Sequence, residues 1–571
     1  MKKIIALLLI LSLSLTGLIV PTSAAWSVVD TTFAVASDLH YELQEDLEWF
    51  SEDPIFGYAN RRAAMETESR YIIDEFLNQC AENDKIEFVL IPGDISNEGR
   101  AVKQQHLEVV EKFKEFEEET GKQIYVINGN HDAGKGGKEN ETSLEEFREI
   151  YYDFGFGEAL STMEGNLSYT ADLNEKYRLI AADSCDINRS TGDGMTDDRV
   201  EWVLDEAEKA YADGKYPILM MHHNLLDHMP VQSVLSKDFI IRNHISTAEK
   251  FANAGIKIVF TGHEHCSDAN TYTSSKGNQI TDFATTALTM YPLQYRIVEM
   301  SDESIYYDIA TIDKIDAENL KDDVVGYTDA HIEEMNRGMN EYAKKFLKNG
   351  VEWRLERGFQ DEQLGIDKSA FYYDLVRNAV DALNDILNTP YYGEGGVQEM
   401  ALEKGIIIPD SEYVDGWDVA TELVAAHYAG EEDYPLMETD VTILLRTMCL
   451  ILDTELAMIT EEELMSAATA LTALYGTTPP DDLAESLKLD LGISHGAQSF
   501  LVALVSPLLD SFANDDNVPD NKGMLKGYAR NSSADSFINI AGEIDFSFEK
   551  LIETLKTILT YVFKGLEYIK G

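Results

Sequence analysis

Positive charge is what this sequence has least of. Lysine and arginine number 46 against 103 aspartates and glutamates, a formal net charge of −57. That balance excludes a protein that holds nucleic-acid backbone on a basic surface, and it excludes electrostatic attraction to anionic lipid. A phosphate substrate would be repelled at long range, so any phosphate site needs its own concentrated positive charge, which bound divalent ions can supply. Cysteine is also scarce. Cys80, Cys185, Cys266 and Cys449 are scattered with no CxxC pair, which excludes a disulfide-dense scaffold and a zinc-finger pattern but leaves room for one or two disulfides in an exported chain. Proline is limited to 13 residues, and 44% of the chain is hydrophobic. Wholesale disorder is therefore excluded and a large core is expected.

Long apolar runs are missing except at the start. Lys2 and Lys3 precede an almost wholly apolar stretch over 4–20, and Pro21, Thr22, Ser23, Ala24 and Ala25 follow. A basic start, an apolar stretch and small residues are the pattern of a signal peptide, here spanning 1–25, so a secreted or extracellular location is expected, with cell-surface association open. The alternative is an uncleaved anchor, although the run falls slightly short of the ~20 residues that a spanning helix needs.

With 571 residues the chain exceeds the size at which single cores stop growing. Short β-branched runs at 32–37, 87–92, 123–128, 178–183, 217–221 and 256–261 alternate with helical patterns at 66–80, 102–119 and 196–212. Alternation of this kind predicts an α/β domain, over 26–312. The last of these helices is expected to start at Thr196 as N-cap, with Asp197 and Asp198 where the helix dipole favours them. Strand signals without helices over 282–312 predict an antiparallel edge. From 313 to 513 helical periodicity dominates, at 330–347, 369–387, 419–429, 438–457 and 461–475, and a second, mostly helical domain is expected. The polar stretch 514–536 reads as a flexible linker, followed by a terminal amphipathic helix at 546–569 within the final segment 514–571.

Polar chemistry gathers where the strands end. The first strand is followed by Asp38-Leu39-His40 and the second by Gly93-Asp94. The third leads into Gly129-Asn130-His131-Asp132, and later strands into His222-His223-Asn224 and Gly262-His263-Glu264-His265. In an open α/β sheet, sites form beyond the carboxyl ends of strands, so these clusters should converge. Carboxylates, imidazoles and one amide suit Mn, Fe, Zn and similar ions better than calcium. The i, i+2 spacing of Asp38 and His40, and of His263 and His265, suggests extended segments whose alternate side chains share a face. Seven ligand candidates exceed one tetrahedral zinc and suit two ions sharing a carboxylate, a clamp for in-line displacement at phosphorus. Each fragment is weak alone. Together they hold six of the chain's twelve histidines, which a chance placement does not explain.

The ordered set DxH, GD, GNHD, H and GHxH resembles the signature of calcineurin-like metallophosphoesterases, over about 33–312. The resemblance implies a four-layer αββα sandwich. It implies that Asp38, His40, Asp94 and His265 hold one ion, and that Asp94, Asn130, His222 and His263 hold the other, with Asp94 bridging. His222 is preferred to His223 as the ligand. His131 would be the catalytic imidazole, and Asp132 would orient His131 or its loop, or simply stabilise the turn. The DxH form, and Gly93-Asp94-Ile95-Ser96-Asn97-Glu98-Gly99 with no Tyr after the GD pair, looks more like cyclic-nucleotide and glycerophosphodiester phosphodiesterases than like purple acid phosphatases. Asn224 stands where a proline is usual. The implied activity is metal-dependent hydrolysis of phosphodiesters, with a hydroxide held between the two ions attacking phosphorus. Phosphomonoester or nucleotide hydrolysis, and a catalytically silent surface-binding protein, are the alternatives. The partner is a small-molecule or lipid-derived phosphate ester.

Several other residues stand out. His223 and His228 lie in the loop after His222 and are candidates for contact with substrate. Cys266 reads as a small buried residue, and Asp193-Gly194 as a turn. The apolar stripe of the terminal helix, with Lys550, Lys556 and Lys564 beside it, fits either a membrane surface or packing on its own domain.

Overall fold

The computed structural model describes residues 29–43, 63–189, 192–229, 232–235, 237–323, 326–360, 368, 373–431, isolated positions between 442 and 450, and 518–528. The stretches read as a signal peptide (1–25), as a helix at 461–475 and as a terminal helix at 546–569 lie outside the described residues, and 438–457 is described only at isolated positions.

Two sheets stand at the centre. The first runs in the order β13-β12-β11-β1-β2-β3, with β1 Thr31–Val35, β2 Phe88–Pro92, β3 Gln123–Ile127, β11 Gln294–Met300, β12 Ser304–Thr311 and β13 Gly523–Lys526. The second runs β4-β5-β6-β7-β8-β10-β9. Its members are β4 Ser161–Thr162, β5 Tyr169–Asp172, β6 Tyr177–Ala181, β7 Tyr216–Met220, β8 Ile258–Thr261, β9 Asp268–Thr273 and β10 Gln279–Ala284. The strands β1, β2 and β3 are parallel, as are β6, β7, β8 and β10; the remaining neighbours are antiparallel. Strands such as FVLIP in β2 and IVFT in β8 are buried along their whole length, as expected where both faces of a parallel sheet are covered.

The sheets pack face to face. Phe33 of β1 meets Phe260 of β8 edge-on at 5.6 Å, Phe283 of β10 meets Tyr307 of β12 at 4.7 Å, and Tyr169 of β5 donates its hydroxyl to the Val126 carbonyl of β3 at 2.9 Å. The helices Ser69–Glu82 and Lys103–Thr120 lie with the first sheet. The helix Lys103–Thr120 buries His106, Val109, Val110, Phe113 and Phe116 along one stripe and stops at Gly121 in the left-handed conformation. Outside the second sheet, Asp197–Ala212 and His244–Asn253 bury Val200, Val203, Ala207, Ala248 and Phe251 against Ile180, Leu219 and Val259. The result is the expected four-layer α/β sandwich with a helical region after it. Thr196 occupies the N-cap position of the helix Asp197–Ala212 and makes no capping bond to the backbone.

Three expectations change. The antiparallel edge expected over 282–312 is found over 294–311, where β11 pairs antiparallel with β1 and with β12, while 282–284 departs from it as the end of β10, which runs parallel to β8 in the second sheet. Local sequence reports that these are strands but not which partners they find. The pattern expected as one helix at 330–347 is two, Asp329–Arg337 and Met339–Gly358, interrupted at Gly338. Finally, the stretch expected as a linker contains β13, which pairs with β12 from Ser304↔Lys526 to Tyr307↔Gly523. Its alternating exposure gives one half-apolar edge strand too short to read from sequence.

The helical region is not walled off from the sandwich. Met339, Tyr342, Ala343, Phe346 and Leu347 belong to the same apolar core as Leu288, Met290 and Leu293. The buried Glu68 carboxylate takes hydrogen bonds from Tyr327 and Tyr342. The described helices include none long and apolar enough to cross a membrane.

Candidate metal centre

Every cluster singled out by the sequence except the His228 side chain comes to one end of the two sheets. Asp38 and His40 follow β1, Asp94 follows β2 and Asn130 and His131 follow β3; His222 follows β7 and His263 and His265 follow β8. The spacing argument based on extended strands is corrected. Asp38, His40, Asp94, His263 and His265 all adopt left-handed backbone, with φ of 51°, 42°, 46°, 69° and 66°. Each costs of order 1–3 kcal/mol for a residue with a Cβ and persists only where its surroundings impose it. Here parallel-type hydrogen bonds from Asp38 N to Gly93 O (3.1 Å) and from His40 N to Asp94 O (3.0 Å) impose it on the first segment.

Asp38, His40 and His265 form one group. Asp38 Oδ1 lies 3.8 Å from His40 Nε2 and 3.2 Å from His265 Nε2, and the two imidazole nitrogens are 3.2 Å apart. Asp94, Asn130, His222 and His263 form the other. His222 Nε2 lies 3.3 Å from Asp94 Oδ2, 3.0 Å from Asn130 Oδ1 and 3.1 Å from His263 Nδ1. A third set, His40, Asp94 and His131, joins them, with ligand atoms within 4.8 Å of one another. His222 rather than His223 enters the cluster; His223 Nδ1 turns to Ser184 Oγ at 3.0 Å.

The chain's own hydrogen bonds test whether a cation fits. A backbone carbonyl only accepts, so His222 Nδ1, 3.0 Å from Pro92 O, carries a proton, and His263 Nε2, 3.3 Å from Asp238 O, carries one too. In their neutral forms the two rings then aim lone pairs at each other across 3.1 Å, an arrangement that only a shared cation makes favourable. Burial opposes charge on His222, but Asp94 outweighs it and raises the ring to about 9. Burial, followed by His222, pushes His263 down to about 3. One positive charge between the two rings is what the geometry asks for. Asp38 Oδ1 is likewise a buried carboxylate oxygen without a hydrogen-bond donor of good geometry. Burial works to raise Asp38, and His265 outweighs it, bringing the carboxyl down to about 2. Imidazoles, two carboxylates and an amide fit two divalent transition-metal ions that share Asp94.

Glycines make this approach possible. A Cβ on Gly129 would lie 2.1 Å from Asp94 Oδ1, and one on Gly262 would lie 2.3 Å from Asp38 Oδ2. The glycines of the GN and GH pairs are therefore requirements of space, while Asn130 and His263 supply the chemistry.

His131 commits Nδ1–H to the Asn97 carbonyl at 2.5 Å, and its backbone N–H donates to Asp94 Oδ1 at 2.8 Å. Of the roles expected for Asp132, its contacts fit that of holding the loop. Its carboxylate accepts from Gly129 N at 2.7 Å, Ser96 N at 3.0 Å and Ser96 Oγ at 3.1 Å, so it ties two loops together rather than touching the His131 ring. Burial, then the Asp94 charge, raises it to about 7. It is a positioning residue. His228 is also corrected as a candidate for substrate contact. It is buried between Asp268 (3.3 Å) and Asp282 (3.0 Å), which overcome burial and hold it well above the usual range. Cys80, Cys185 and Cys266 are buried and form no disulfide among the described residues.

No motif points to Phe239, whose ring stacks on His263 at 4.3 Å, or to Arg100, which donates to the carbonyls of Asn130 (3.2 Å) and Arg189 (2.6 Å). The Asn97, Pro92 and Asp238 carbonyls that fix the imidazole tautomers carry no side-chain signal at all. His106 was readable only as one more polar residue on a buried helix face.

Residues 31–267 match the family described as calcineurin-like phosphoesterase. No curated protein matches the chain. Among solved structures, a dimetal phosphatase from Danio rerio is similar with a TM-score of 0.34 and 12% identity, over 49% of this chain and 96% of that one. PhoD is similar with a TM-score of 0.33 and 11% identity, over 50% of this chain and 69% of that one.

Proposed function

Because residues 31–267 form a calcineurin-like phosphoesterase domain, we propose that the chain is an exported two-metal phosphodiesterase, acting on small diesters such as cyclic nucleotides or glycerophosphodiesters. The observation that carries the reading is the pair of ligand groups meeting at Asp94, with His131 beside them. Asp38, His40, Asp94 and His265 would hold one ion; Asp94, Asn130, His222 and His263 would hold the other. Two divalent ions so held would lower the pKa of bound water and neutralise charge on phosphoryl oxygens.

The chain's own groups do the rest. The fixed carbonyl partners of His222 and His263 set which nitrogen of each ring faces inward. Asn97 holds His131 by Nδ1, so Nε2 is the atom left to act. As imidazolium it can donate a proton to the departing alkoxide, the usual work of a positioned acid. Asp132 and Ser96 keep that loop in register. The diester preference rests on the DxH form and on the Gly93-Asp94-Ile95-Ser96-Asn97-Glu98-Gly99 segment, with no Tyr after the GD pair. Export rests on the N-terminal pattern of two lysines, an apolar run and small residues.

The test is hydrolysis of bis-p-nitrophenyl phosphate against p-nitrophenyl phosphate by the chain starting at Trp26, stripped of metal and reloaded with Mn or Zn. Faster metal-dependent turnover of the diester is expected. Preference for the monoester would replace the diesterase reading by a phosphatase one, and no turnover of either with metal bound would point to a silent binding protein.

A further inference from the structure

Residues 518–528 lie far along the chain from the motifs, within the stretch read as a polar linker. They are fastened at both ends. At one end, Tyr528 stacks on Tyr216 at 4.8 Å and donates its hydroxyl to Pro217 O, and Lys257 Nζ donates to Gly527 O at 2.7 Å. In the middle, β13 pairs with β12. At the other end, Asp520 and Asn521 reach the loop that carries His263 and His265. Ala269 N donates to Asp520 Oδ1 at 3.1 Å, and Ser267 Oγ donates to Asn521 Oδ1 at 2.7 Å.

The helix Gly416–Ala429 closes the same clamp. Ser267 N donates to Tyr428 O at 3.1 Å, and Asn521 Nδ2 donates to Ala429 O at 2.7 Å. Gly430 follows in the left-handed conformation at φ 63°, and a Cβ there would sit 2.2 Å from Ser267 O and 2.9 Å from Asp520 Cβ. Beneath, the buried Arg296 guanidinium donates to Asp520 O (2.6 Å), Ser267 Oγ (3.2 Å), Asp268 O (2.9 Å) and Ala284 O (2.7 Å). Ser267 is thus held from three sides, two residues after His265.

That loop needs holding. His263 and His265 both occupy left-handed backbone, a conformation that survives only where contacts impose it. The segment before them is fixed by Gly262 N to His222 O at 3.0 Å and by His263 N to Asp38 Oδ2 at 3.0 Å. Glu264 between them is held by its N–H to Gly262 O at 2.8 Å and by Gln232 Nε2 on its carboxylate at 2.9 Å, and beyond His265 the loop is held at Ser267.

We propose that the strap 518–528, through Asn521, together with the end of the helix Gly416–Ala429, positions the 262–267 loop and thereby sets the affinity of the ion site that His265 completes. Asn521 is a positioning residue, and the helical region is part of the metal centre's support rather than an appendage. The proposal rests on the two-ion reading of the site.

Asn521→Ala removes the bonds to both Ser267 and Ala429. Supporting residues of this kind typically change metal affinity by roughly 10–100-fold. Titration calorimetry of Mn into the chelator-stripped full chain is expected to show two ions for the wild type, with one of them weakened at least about tenfold in Asn521→Ala and the other unchanged. The control is Met524→Ser, on an exposed side of the same strand, and it should keep both affinities. Amide exchange over 262–268 in the metal-free protein gives a readout independent of any ion, and it should speed in Asn521→Ala and not in Met524→Ser. Equal weakening of both ions, or wild-type affinities with wild-type exchange in Asn521→Ala, overturns the proposal. If the wild type takes up no Mn, the two-ion reading falls, and the exchange measurement alone decides whether the strap holds the loop.

Discussion

His106 is the place where the electrostatics of this fold can be tested without any ion. It is fully buried on the inner face of the helix Lys103–Thr120. Its Nε2 lies 2.8 Å from the Asp132 carbonyl, which only accepts, so Nε2 carries the proton; Nδ1 then accepts from the Tyr151 hydroxyl at 2.9 Å. The neutral ring is satisfied, and a second proton would place a charge among Phe147, Tyr151 and Phe113. Burial therefore pushes His106 down from its ordinary 6.5 to about 4. The folded value lies below the unfolded one, so between them the unfolded chain binds more protons. The contribution is complete above the unfolded value and is lost as pH falls toward the folded one. The gap of about 2.5 corresponds to about 3.4 kcal/mol in all, of which about 2 kcal/mol is lost between about pH 7.5 and 5.0. The assay is urea unfolding of wild type and His106→Gln across that range, with a chelator present so that metal release does not intervene. The variant is expected to be less stable at the upper pH, and the difference should shrink by about 2 kcal/mol at the lower one. A difference that stays constant with pH would refute the reasoning.

Three further outcomes are expected. His131→Ala should lower kcat by about 10²–10⁴-fold while metal content, read by atomic absorption, stays at the wild-type level; loss of metal would make His131 a ligand. His222→Ala should lose metal and His223→Ala should retain it, because only His222 faces Asp94 and Asn130; the reverse pattern would move the ligand by one residue. Gly129→Ala brings a Cβ to 2.1 Å from Asp94 Oδ1, so it should abolish tight metal binding, measured by competition with a chromogenic chelator, and normal binding would show that the turn can move aside.

The strands that carry the site were legible because each is a short apolar run ending in Gly, Asp, Asn or His, and β1, β2, β3, β6, β7 and β8 lie within two residues of their expected bounds. The convergence of Asp38, Asp94, Asn130, His222 and His265 followed from that alone. How they converge did not. The i, i+2 spacing suggests extended backbone, whereas Asp38 and His40 are left-handed on either side of Leu39, a conformation that side-chain identity does not announce. The carbonyls of Pro92, Asn97 and Asp238 fix imidazole tautomers without leaving any trace in residue type. Long-range pairing was equally hidden. The polar composition around Gly523–Lys526 suits a linker, and only the open edge of β12 makes it a strand. The boundary expected near 313 marks a change in secondary structure but not in core, since Phe346 and Leu347 pack with Leu288 and Leu293.

The central claim is that Asp94 joins two ions at one site. It is tested most directly by counting ions per chain in the Mn-reconstituted wild type and in Asp94→Ala, with phosphoester turnover measured on the same samples. The account predicts two ions and turnover in the wild type, and loss of both ions' tight binding together with turnover in the variant. One ion in an active wild type, or an Asp94→Ala protein that keeps two ions and its turnover, would contradict it.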